Sequence, residues 1–215
     1  MRIGVDAGGT FTDFIAVHDD GRVETFKLRS NPRSPASVIL EGLRLIAPKA
    51  DVVHGSTVAT NALLERKGAR TAFVTTAGFE DVLEIGRQNR AELYDLTPPP
   101  KRVPVDRALR FGVQERTHFD GVIARKPAAE ELKRLALKLT RKKVQSVAIC
   151  FLHSYQNSSN ERAAERVLQE QLRDSGVYVC SSHEISPEFR EYERSSTTFV
   201  NAYVGPLMKR YLSEL

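Results

Sequence analysis

The stretch MRIGVDAGGTFTDFIAV, residues 1–17, sets two apolar, strand-like runs on either side of Gly8-Gly9. Asp6 stands just before the glycines, and Thr10, Thr12 and Asp13 follow them. The pattern predicts strands over 2–6 and 12–18. A third strand is expected over 23–29, after Asp19-Asp20-Gly21, because Asp-Gly between alternating apolar runs is a strong hairpin signal. The chain therefore opens as an antiparallel meander.

Working outward, Pro32 and Pro35 stop the third strand, and Ser34 or Ser37 is placed to cap a helix carrying Val38, Ile39, Leu40, Leu43, Leu45 and Ile46. A strand at 51–54, a helix at 58–67, a strand at 71–75 and a short helix at 79–85 follow. This alternation predicts one α/β mixed sheet, antiparallel at its start and parallel beyond, with helices packed on it. Residues 86–120, with Pro98-Pro99-Pro100 and Pro104, break the rhythm and read as an extended, partly irregular excursion. Helix 128–139, strand 146–152, helix 160–172 and strand 177–180 restore it, with a right-handed crossover expected. The organisation expected is one lobe over 1–180 and a C-terminal helical segment over 181–215. The helix from 192 reaches Ser213-Glu214-Leu215 without a glycine cap, and the chain is expected to be a piece of a longer protein.

Composition excludes several classes. The 215 residues are 41% hydrophobic and carry a net charge of +5, which suits a globular domain and an anionic ligand. The one dense basic run, Arg141-Lys142-Lys143, closes an amphipathic helical pattern, where cations complement the helix dipole. No aromatics interleave with it, so nucleic-acid binding is not expected. There is no signal-peptide pattern and no apolar run near the ~18 residues of a membrane span. Cys150 and Cys180 both sit in apolar runs and read as buried free thiols, in keeping with a reducing cytoplasm.

Gly8-Gly9 admits two compatible readings. One is a hairpin whose glycines and polar neighbours are turn formers. The other is a phosphate loop, in which residues without Cβ let backbone N–H groups approach an anion, threonine hydroxyls add donors, and a carboxylate at the strand end holds a hydrated magnesium ion. A dinucleotide fingerprint is excluded, since neither G-x-G-x-x-G nor a Walker sequence is present and a strand follows the glycines.

Three further clusters stand out. His54-Gly55-Ser56-Thr57 lies where a strand gives way to a helix, so Ser56 or Thr57 is either an ordinary N-cap or, with His54 and Asn61, part of an anion or carbonyl site. Arg87-Gln88-Asn89-Arg90, followed by Tyr94 and Asp95, is either a solvated loop or a grip on a substrate carboxylate or amide. His183-Glu184, near Glu191-Tyr192-Glu193-Arg194, lacks a spaced third ligand and reads as salt bridging rather than as a metal site. His18, His118 and His153 are isolated and receive no role.

An acid at the end of the first strand, a glycine turn and two more strands resemble the opening of the actin-like ATPase and sugar-kinase superfamily. Longer blocks narrow the resemblance: HGSTVATNALLERKGARTAFVTTAGFEDVLEIGRQNR, SVAICFLHSYQNSSNERAAERVL and SHEISPEFREYERSSTTFVNAYVGPLMKRYL. These are similar to the N-terminal part of the hydantoinase A and 5-oxoprolinase family, which includes acetone and acetophenone carboxylase subunits. The resemblance implies a ribonuclease-H-like lobe, ATP and magnesium as cofactors, and phosphorylation of a cyclic amide or ketone oxygen. It implies Asp6 as the catalytic magnesium ligand, acting through water, and Gly8, Gly9, Thr10 and Thr12 as phosphate contacts. Asp13 is either an orienting group or a turn residue, and His54, Thr57, Asn61, Arg87 and Arg90 are the candidate substrate contacts. The remainder of the chain, and a second B-type subunit, are the implied partners. A sugar kinase and a non-catalytic nucleotide-binding module are the competing functions; the cysteine-rich zinc motif of one sugar-kinase group is absent.

Overall fold

The computed structural model describes residues 1–31, 34–46, 50–89, 94, 96–97 and 103–215. Pro32, Arg90, Asp95 and Pro98-Pro99-Pro100 lie outside the described residues. Two compact units are present, one formed by Met1–Gly68 with Pro206–Leu215 and the other by Ala69–Gly205.

The first unit opens with the expected meander of β1 (Arg2–Ala7), β2 (Phe11–Val17) and β3 (Val23–Arg29). Helix α1 (Pro35–Ile46) follows, with Pro35 in the first turn, where its missing N–H costs nothing. Strand β4 (Asp51–Ser56) pairs in parallel with β1 and leads into α2 (Val58–Leu64). The strand order is β3-β2-β1-β4. Period-two alternation sends Ile3, Val5, Ala7, Phe14 and Ala16 to one face, where they pack with Ile39 and Tyr211. Phe14 stacks on Phe26 with ring centroids 4.7 Å apart. A Cβ at Gly42 would lie 2.1 Å from the Phe14 ring, so this glycine lets α1 settle on the aromatic pair. The opposite face, with Asp6, Asp13, Ile15 and Val53, is exposed.

The second unit holds an all-parallel sheet of order β10-β9-β5-β6. Its strands are β5 (Thr71–Thr76), β6 (Arg110–Val113), β9 (Ser146–Cys150) and β10 (Tyr178–Ser181). A short antiparallel ribbon joins β7 (Arg116–Thr117) to β8 (Ile123–Arg125). Central strands β5 and β9 are buried along their whole length, so their sequences are runs rather than alternations. Helices α3 (Val82–Ile85), α4 (Ala129–Arg141), α5 (Ser159–Leu172), α6 (Ser182–Ile185) and α7 (Glu191–Ser213) complete the order. On α4, Leu132, Leu135, Ala136 and Leu139 form the buried stripe, with Glu130 and Glu131 in the first turn and Arg141 in the last.

Two expectations need correction. The strands do not form a single mixed sheet: β4 ends the first sheet, and β5 begins a second one. Apolar runs identify strands, but pairing partners depend on contacts distant in sequence. The 86–120 excursion is also more regular than expected, since β6 and β7 lie within it. Strand β6 has only four residues, too short for a periodic signal, and takes its form from pairing with β5.

Candidate functional site

The β1–β2 turn closes through Gly8 N–H donating to the Phe11 carbonyl at 3.1 Å. Ser30 clamps it from β3's end: its hydroxyl donates to the Gly8 carbonyl at 2.8 Å, and its N–H donates to the Thr10 carbonyl at 2.9 Å. Thr12 is buried beneath, with its hydroxyl 3.0 Å from that of Ser30, so it supports the turn from inside. Thr10 is exposed.

Gly8 and Gly9 line a cavity of about 410 Å³ within the first unit, together with Ser30, Thr57, Asn61, Lys67, Arg210 and Tyr211. The Asn61 amide lies 3.5 Å from where a Cβ on Gly9 would stand. That amide donates to the Thr57 hydroxyl at 3.2 Å, and the Thr57 hydroxyl points at the Ala7 carbonyl 3.4 Å away. Thr57 makes no side-chain cap bond to α2; instead, the Ser56 hydroxyl accepts from Val58 N–H at 3.2 Å. The fold thus gathers Gly8, Gly9, Thr57 and Asn61 around one concavity. Sequence reading missed Lys67, Arg210 and Tyr211, because α2's end and α7 meet β1 only in the folded chain.

Asp6 projects from the other side of β1, over a shallower cavity of about 660 Å³ that Asp13 and Lys27 also line. Asp6 sits directly across from Asp13 in the β1–β2 register and from Gly55 in the β1–β4 register. Like charges placed opposite one another destabilise a strand pair, so a nearby cation is favoured. Lys27 supplies one, 3.1 Å from Asp13. Asp6 itself makes no ion pair among the described residues.

His54 is held on both sides of its ring. Its Nδ1 lies 3.3 Å from the Val5 carbonyl, which only accepts, so Nδ1 carries the hydrogen and Nε2 accepts from the Tyr211 phenol. Burial pushes the Tyr211 hydroxyl above the ordinary phenol range, while a hydrogen bond with Ser56 opposes that shift. In the second unit, Arg87 Nε donates to Glu193 at 2.7 Å, beside a polar cavity of about 480 Å³ lined by Asn89, Tyr192, Ser196 and Thr197. Arg90 lies outside the described residues, so its relation to this cavity is not described.

The donor set fits the groups that the resemblance implied. Asp6 and Asp13 offer hard carboxylate oxygens of the kind magnesium takes, and Gly8 and Gly9 carry no side chain to bar an anion, with the Gly8 N–H spent on the Phe11 carbonyl. The model of the hydantoinase/oxoprolinase N-terminal region matches residues 2–172. The chain belongs to this family. Among hydantoinase/oxoprolinase relatives, the caprolactamase alpha subunit of Pseudomonas jessenii is 40% identical, covering 100% of this chain and 32% of that protein. The 5-oxoprolinase 1 of Arabidopsis thaliana is 33% identical, covering 99% of the chain and 19% of that protein.

Among solved structures, nucleotide-free acetone carboxylase, from a study of ATP-dependent acetone carboxylation, superposes with a TM-score of 0.88 at 27% identity, covering 100% of this chain and 33% of that one. The ATP-dependent caprolactamase of Pseudomonas jessenii superposes with a TM-score of 0.85 at 39% identity, covering 99% of this chain and 33% of that one. The family and the α/β fold of an actin-like ATPase lobe are therefore as the sequence implied. This family member spans about a third or less of the length of these relatives. No helix among the described residues is long and apolar enough to cross a membrane.

Proposed function

We propose that this hydantoinase/oxoprolinase region is the phosphate-binding part of an ATP-dependent enzyme that opens cyclic amides. The observation that carries the reading is the convergence of the bare Gly8-Gly9 turn with Thr57, Asn61, Lys67 and Arg210 on one cavity. Asp6 stands two residues before Gly8 at the same end of β1. Glu65, 2.6 Å from Lys67, and Glu214 also line this cavity, so the Arg210 guanidinium and the Thr57 and Asn61 side chains are the donors offered to a polyphosphate. Bound magnesium would be held by Asp6 with Asp13 beside it, on the face of β1 opposite this cavity.

An amide carbonyl is a poor electrophile at neutral pH. Transfer of the γ-phosphoryl group of ATP to the ring carbonyl oxygen, with ADP leaving, makes the carbon open to attack by water. The C–N bond then breaks, the amine leaves with a proton, and a second water releases phosphate. The chain's own contribution is positioning and charge stabilisation, which dominates phosphoryl transfer. The polar cavity at Arg87 and Asn89 is our candidate for substrate recognition, because forked donors suit a carboxylate or amide. A carboxylase-type use of the same activation, on a ketone and with a second B-type subunit, is the alternative; it is favoured by the 0.88 TM-score to acetone carboxylase.

The test is ADP release by the longer protein that carries this region, assayed with hydantoin, 5-oxoproline, caprolactam, and acetone with bicarbonate. Turnover with one of the cyclic amides is expected. Asp6→Asn should lower it by at least ~100-fold, the scale of losing a transition-state electrostatic contact. An unchanged rate in Asp6→Asn would reduce the turn to a plain hairpin.

A further inference from the structure

The second unit contains a group of acids that the proposed reaction does not use. Glu161 and Glu165 stand one turn apart on α5 and are both buried. Glu161 has both oxygens filled: Oε1 accepts from Phe151 N–H at 2.7 Å and the Ser182 hydroxyl at 2.6 Å, and Oε2 accepts from His183 N–H at 2.9 Å and lies 3.1 Å from His183 Nδ1. Glu165 Oε2 accepts from the Ser181 hydroxyl at 2.8 Å. That hydroxyl is also 2.9 Å from His183 Nδ1, and its own hydrogen is committed to Glu165. Nδ1 therefore carries the imidazole hydrogen, and Nε2 is left as the lone-pair nitrogen of the neutral ring.

The His183 side chain is only 7% exposed, and its Nε2 makes no hydrogen bond among the described residues. It points toward the Glu184 carboxylate, 4.0 Å away. Donor atoms of Glu165, His183 and Glu184 all lie within 4.8 Å of one another. The sequence showed only the adjacent His183-Glu184; the third ligand comes from α5, 18 positions earlier than His183.

Electrostatics points the same way. The acids Glu161, Glu165 and Glu184 all act on one imidazole, the first two from buried positions and Glu184 from an exposed one. An imidazole whose Nδ1–H is held by a buried carboxylate, with Nε2 turned toward the Glu184 carboxylate and Glu165 close to the ring, is the arrangement that orients a histidine ligand for a metal. One nitrogen and two carboxylate oxygens with an open side suit a zinc-class divalent cation, which water would complete to four ligands.

We propose that Glu165, His183 and Glu184 bind one zinc-class divalent cation, fastening α5 to the β10–α6 junction. All three residues belong to the second unit, and the site needs no nucleotide. The probe is cobalt(II) added to the chelator-treated 215-residue chain in excess magnesium, followed by visible absorption, with melting temperature measured in parallel with zinc. One cobalt per chain and a zinc-dependent rise in melting temperature are expected. Glu184→Gln, at an exposed position that leaves the fold intact, should weaken binding at least ~10-fold, and His183→Gln should do the same. Equal binding by the parent chain and Glu184→Gln, or no saturable cobalt binding at all, overturns the site and leaves an ion-paired cluster.

Discussion

The phenol of Tyr211, near the end of α7, donates to Nε2 of His54 on β4, joining residues 157 positions apart. With the Val5 carbonyl on the other ring nitrogen, this bond fixes the imidazole against Tyr211, which lines the glycine-turn cavity, and makes His54 a brace. Tyr211→Phe keeps the ring's packing and removes the donor. The expected cost is about 1–2 kcal/mol, the usual penalty for leaving a partly buried polar atom unpaired. Urea unfolding of the two proteins checks it; equal midpoints would show the bond to be idle.

The two glycines of the turn should respond differently to a methyl group. A Cβ at Gly8 would stand 2.9 Å from the Phe11 carbonyl oxygen, so Gly8→Ala must shift backbone and should lower stability. A Cβ at Gly9 meets only the Asn61 amide, at an ordinary 3.5 Å. Gly9→Ala should therefore fold normally while crowding the cavity, with ATP affinity of the longer protein falling by about tenfold, or ~1.4 kcal/mol. Calorimetric titration with ATP decides, and unchanged affinity in Gly9→Ala would place the phosphates elsewhere.

The buried acids give the chain a definite pH response in the presence of a chelator. Burial raises the carboxyls of Glu115 and Glu165 above the ordinary carboxylate range, and the Glu161 hydrogen bond raises His183 above that of a free imidazole. In each case the folded chain holds protons that the unfolded chain releases, so stability falls as pH rises. The acids contribute this loss from about pH 4.5 upward through their folded values, and His183 contributes it above about 6.5. Exposed acids such as Asp19 and Glu130, whose values are lowered by hydrogen bonds, act in the opposite sense only toward the acid end. Melting temperature should decline from pH 6 to 8, and His183→Gln should flatten that segment. A rising curve would contradict the assignment.

Both thiols should be inert in the folded state. Cys150 is buried and accepts from the Ser195 hydroxyl at 3.2 Å, and burial pushes Cys180 up to about 11. A thiol reagent at pH 8 should modify neither within the time that full reaction takes in denaturant. Rapid labelling of the native chain would mean that the sheet opens around β9 or β10.

The sequence by itself determined the family and most of the elements outside 86–120. Alternation at 2–6 and 12–18 pointed to the hairpin, because a strand with one buried face must repeat every two residues. The Asp6 to Asp13 stretch announced a turn fit for an anion, since glycines without side chains are legible one residue at a time. Tertiary structure alone decided which strands share a sheet, which placed β5 in a second, parallel one. It also brought Lys67 and Arg210 to the glycine turn, turned His54 into a brace through Tyr211, and set Glu165 beside His183. Propensity and periodicity act over a few neighbouring residues, whereas these relationships come from packing between segments tens of positions apart.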